Sequence, residues 1–110
     1  MPRIPFVSPE GDLTPEQHRV IKGIYERRGE QRLPGPYRFF LHCPKIAEAL
    51  DPLGELLRLK SAFPLRLSEL AILITARAWN CDYVFQAHEP FALKGGLAQA
   101  VIDALARDER

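Results

Sequence analysis

The sequence predicts an all-α fold, a compact helical domain built on a central antiparallel helix pair. Three observations predict it. Apolar residues recur at helical spacing, as in Val20, Ile21, Ile24 and Tyr25. Segment ends carry helix start and stop residues. No segment keeps the alternation of a strand. Ile72-Leu73-Ile74-Thr75 has β propensity, but its flanks Glu69-Leu70-Ala71 and Ala76-Arg77-Ala78 favour helix.

Each element follows in order. Residues 1–13 hold three prolines and a glycine and read as an extended arm, with the helical domain spanning 14–110. Thr14-Pro15-Glu16-Gln17 is a helix start: Thr14 caps, Pro15 suits the first helical position, and Gln17 closes a capping box. Gly29 ends that helix. After the Pro34-Gly35-Pro36 loop, Tyr37 to His42 forms a short helical segment. Pro44 opens another helix, with Ile46, Ala47 and Leu50 inward. Asp51-Pro52 is expected to interrupt it, because proline clashes with the preceding turn. Leu53, Leu56, Leu57 and Leu59 then continue the apolar face to about Lys60, and 61–66 is a connection.

Leu67 to Asn80 is the most apolar helix. It is apolar on nearly every side from Leu70 to Ala76, so it is expected at the centre of the fold. Asp82 to Leu93 is its antiparallel partner, stopped by Gly95-Gly96. Ala98 to Ala106 closes the chain with Val101, Ile102 and Leu105 inward.

Composition narrows the function classes. A length of 110 residues fits one domain, and 46% hydrophobic with 26% charged residues is ordinary for a globular protein. A formal net charge of +1 argues against nucleic acid or a membrane surface as partner. The stretch Leu70–Ala76 is far short of the about 20 residues a bilayer span needs. Two cysteines without a dense framework, and no apolar leader, point to a reducing compartment and a cytoplasmic location.

The chemistry-bearing stretch is Glu69 to His88. On the second helix of the pair, Cys81, Val84 and His88 stand at i, i+3 and i+7 and share a face. If the chain turns at Asn80-Cys81, Glu69 and His88 meet at the same end of the pair. A carboxylate beside an imidazole is a proton-transfer couple, because the acid orients the ring and holds its tautomer. A bland reading stands beside this one. A negative charge in a helix's first turn is favourable in itself, a histidine on a half-apolar face is often a boundary residue, and a cysteine near a helix start often packs as a small hydrophobe. Arg38, Arg66 and Arg77 are candidate cations for an anionic substrate, against the ordinary reading of solvated surface charge. Tyr83 and Val84 are candidate substrate contacts, although Tyr83, like Phe85, also reads as packing; Trp79 reads as a core or interface anchor. His42-Cys43 has no partner pair at metal spacing, so no metal and no cofactor are expected.

The run Leu67-Ser68-Glu69-Leu70-Ala71-Ile72-Leu73, then Ala76-Arg77, Asp82 through Pro90, and Gly95-Gly96-Leu97 resembles the carboxymuconolactone decarboxylase family, which includes alkylhydroperoxidase D-like proteins. The resemblance covers about residues 34–106. It implies an alkylhydroperoxidase D-like helical fold and two possible activities. In the redox branch, Glu69, Cys81 and His88 match the relay and one thiol of a Cys-x-x-Cys-x-x-x-His motif. Val84 stands where the second cysteine belongs, so a sulfenic acid lacks its local resolving thiol. In the decarboxylase branch, a cofactor-free lyase acts on γ-carboxymuconolactone or a similar small carboxylated lactone in aromatic catabolism. There His88 transfers the proton, Glu69 partners it, and arginines hold the carboxylates. The resemblance also implies a homo-oligomer, trimeric or hexameric, and a chain that is either a short member or the N-terminal part of a longer one. Three readings follow: the lyase, which the absent second cysteine favours; a thiol-dependent hydroperoxide reductase using Cys81; and a non-catalytic oligomeric binding module.

Overall fold

The computed structural model describes residues 3–108. The first two positions of the arm and the last two of the charged tail lie outside the described residues. Among those described, every regular element is a helix. Contacts group the chain into two units, Met1–Lys60 and Ser61–Arg110.

The first unit contains α1 (Pro15–Arg28), α2 (Tyr37–Phe40) and α3 (Pro44–Leu59). The expected capping box forms at α1: Thr14 Oγ1 accepts from the Gln17 N–H at 3.1 Å, and Gln17 Oε1 accepts from the Thr14 N–H at 2.9 Å. Gly29 closes the helix at φ 68°, a left-handed conformation that suits glycine. Val20, Ile21 and Ile24 are buried with Leu33, Tyr37, Leu41 and Ala47. The arm is tied to α2, where the Val7 N–H donates to the Arg38 carbonyl at 2.9 Å and Phe6 packs on Phe39 with centroids 4.8 Å apart.

Two expectations fail in α3. The helix runs unbroken through Pro52. Proline removes one helical hydrogen bond, but Asp51, the residue before it, is buried and clamped to the last turn of α1 by Arg27 and Arg28. The inward face is also different. Ala47 and Asp51 are buried, whereas Ile46, Leu53, Leu56, Leu57 and Leu59 are exposed. A polar clasp, rather than the leucine stripe, fixes the rotation of α3 against α1.

The second unit contains α4 (Leu65–Ala78), α5 (Asp82–Lys94) and α6 (Gln99–Ala106). Pro64 is the N-cap of α4, so the helix begins two residues earlier than the sequence suggests. Asn80, left-handed at φ 51°, turns the chain, and the Cys81 N–H returns to the Ala76 carbonyl at 2.8 Å. α4 and α5 therefore pack as an antiparallel hairpin, and α6 also packs on α4. Leu73, Ala76, Phe85, Ala92, Leu97 and Ile102 form the core. α4 is not enclosed on all sides: Leu73 is buried but Ile74 and Thr75 are exposed. Trp79 is 80% exposed, which rules out the core role for it. No helix among the described residues is long and apolar enough to cross a membrane.

Candidate functional site

The antiparallel hairpin brings Glu69 and His88 together. Glu69 stands in the second turn of α4, facing α5, and is fully buried. His88 stands in the middle of α5 with its side chain 16% exposed. Nδ1 of His88 lies 2.7 Å from Oε2 of Glu69. In the tautomer in which the imidazole donates Nδ1–H to the Glu69 carboxylate, Nε2 keeps its lone pair. This is the arrangement that orients an imidazole for proton transfer.

The bland account of Glu69 does not survive. The first turn of α4 is 65–68 and holds no acidic residue. The helix dipole acts mainly within that first turn, so it does not explain a carboxylate one turn later. Burial of an acid is expensive without a partner, and His88 supplies one.

Cys81 is the N-cap of α5 and is a free thiol. It shares the His88 face, with an axial rise of about 10.5 Å between the two backbone positions. Val84 is one turn from His88. Cys81 and Val84 line an open apolar groove of about 350 Å³ with Ala71, Ile72, Thr75, Ala76 and Trp79. Tyr83 points away from the core and is exposed, while Phe85 is buried.

The candidate cations separate. Arg66 is exposed in the first turn of α4, one turn before Glu69. Arg77 lines a different groove, together with Asp82, Gln86 and Glu89. Arg38 belongs to the first unit, with its guanidinium 5.8 Å from the centre of the Phe6 ring. His42 Nε2 lies 2.8 Å from the Pro5 carbonyl and tethers the arm. Among the described residues no three of His, Cys, Asp or Glu gather as a metal site.

No protein-family model, curated protein or solved structure matches this chain.

A second polar cluster was not legible in advance. Asp51 is buried between Arg28, whose Nη2 lies 3.0 Å from Oδ1, and Arg27, whose Nε lies 2.9 Å from Oδ2. The Arg28 guanidinium also stands over the Tyr37 ring at 5.4 Å. Burial, then the negative charge of Asp51, pushes the Tyr37 phenol above its ordinary value. The available signal was the adjacent pair Arg27-Arg28 at a helix end and an acid four residues after Ala47.

Proposed function

We propose that this protein is a cofactor-free lyase of the carboxymuconolactone decarboxylase type, acting on a small carboxylated lactone by acid/base chemistry. The observation that carries this reading is the buried 2.7 Å contact between Glu69 and His88. In the reaction, the bond between the lactone and its carboxylate breaks, and its electron pair delocalises into the lactone as CO2 leaves. His88 then delivers one proton to the ring, and the imidazole recovers that proton from solvent, which balances the step. Glu69 stabilises the imidazolium that precedes delivery. Arg66, one turn from Glu69, is the cation assigned to the substrate carboxylate.

Val84, standing where a second cysteine would, supports a lyase over a peroxidase, because a sulfenic acid at Cys81 then lacks its local resolving thiol. The exposed Trp79 and the apolar groove beside it support a homo-oligomer, trimeric or hexameric, in which this face is covered. The same reading places the protein in the cytoplasm, in aromatic catabolism.

The test is CO2 release from γ-carboxymuconolactone by the purified chain. The wild type releases CO2, His88→Ala loses activity by about 100-fold or more, and Cys81→Ser keeps it. No release, or full activity in His88→Ala, removes the lyase. Loss of activity in Cys81→Ser transfers the case to the thiol reading.

A further inference from the structure

Gly95 and Gly96 end α5, yet only Gly96 needs glycine for its backbone, at φ 92°. Gly95 is right-handed at φ −75°, a conformation open to any residue. What restricts Gly95 is contact. A Cβ built on it stands 2.8 Å from the Arg66 nitrogen, 3.1 Å from the Arg66 Cα and 3.1 Å from the Leu65 carbonyl carbon. All three are backbone atoms of the first turn of α4, so no side-chain rotation relieves the clash. At Gly96 a Cβ meets nothing within 4 Å.

The touching point lies at the open end of the hairpin, opposite the Asn80-Cys81 turn. Glu69 is one turn from it on α4, and His88 is two turns from it on α5. Toward the same end, the fully buried Ala92 keeps the helices close. The geometry points to Gly95 as the positioning residue of the Glu69–His88 dyad: backbone contact at Gly95 sets the helix separation at which carboxylate and imidazole meet at 2.7 Å. A shift of about 1 Å in that separation takes the pair out of hydrogen-bond range. Gly95 touches neither member of the dyad and acts through the two helices. This inference rests on the reading of the dyad as the working site and adds the residue that holds it.

The test reads the dyad without any substrate. Long-range proton–nitrogen NMR spectra of His88 report which ring nitrogen carries the proton, and a strongly deshielded Nδ1–H marks its bond to the carboxylate. The spectra are compared in wild type, Gly95→Ala and Gly96→Ala, alongside thermal melts. Wild type shows the deshielded Nδ1–H. Gly96→Ala lowers the melting temperature through left-handed strain and keeps the signal. Gly95→Ala, still helical, loses it. Retention of the signal in Gly95→Ala overturns the assignment of Gly95 and leaves the dyad standing. Absence of the signal in wild type overturns the dyad and the assignment together. If Gly95→Ala is unfolded in buffer, the spectra are taken in trimethylamine N-oxide, which favours the compact state. Failure to fold even there overturns the assignment, because Gly95 then serves the fold at large.

Discussion

Among the described residues each unit buries one carboxylate, and the two are partnered in opposite ways. Asp51 faces two guanidiniums that stay charged at every accessible pH. Glu69 faces the imidazole of His88, a side chain of the type suited to proton transfer. The first arrangement is locked, because no proton can move between an aspartate and an arginine. The second can pass a proton. Equal burial therefore marks a clasp in one unit and a candidate catalytic pair in the other, and the partner decides which.

The largest effect that tests this contrast is loss of charge at Asp51. Asp51→Asn removes the buried carboxylate between Arg27 and Arg28, leaving Arg27 its 3.6 Å contact with Glu55, and is expected to destabilise the fold by about 3 kcal/mol, measured by urea unfolding. A change near zero breaks the comparison from the structural side. Glu69→Gln is the matched substitution. Its amide oxygen still accepts from the His88 Nδ1–H, so the expected loss is about 1 kcal/mol or less. A loss as large as that at Asp51 means His88 is held as a fixed cation, and the two sites are alike. The smallest effect concerns alkaline pH. The Tyr37 phenol has a folded value raised above the unfolded one, so its contribution is fully present below the unfolded value of about 10 and is lost as pH rises through the raised value. Tyr37→Phe is expected to flatten that alkaline decline in a series of melts, and an unchanged slope removes the phenol from the account.

Local chemistry was the legible part of the fold. Thr14, Gln17 and Gly29 mark both ends of α1 because capping involves residues within one turn. The hairpin was legible from the turn between two apolar segments, and it put Glu69 and His88 at one end. Long-range polar pairing was not legible. Arg27 and Arg28 meet Asp51 from 24 and 23 positions away, and periodicity carries no record of such a match. Pro52 misled for the same reason, since the clasp that carries α3 through it comes from another helix. The leucines of α3 misled because hydrophobic spacing identifies a face but not what covers it. Gly95 read as a stop signal, although its restriction is a backbone contact with Arg66 that appears only once the helices are packed.

The central claim is that Glu69 orients and activates the His88 imidazole for proton transfer. Acylation of imidazole nitrogen by diethyl pyrocarbonate measures this directly at each histidine. His18 and His42 are exposed and serve as internal references. The account predicts that His88, despite its lower exposure, reacts faster than either reference, and that Glu69→Gln slows it below them with the reference rates unchanged. A His88 that reacts more slowly than His18 in the wild type, at a rate indifferent to Glu69→Gln, contradicts the claim.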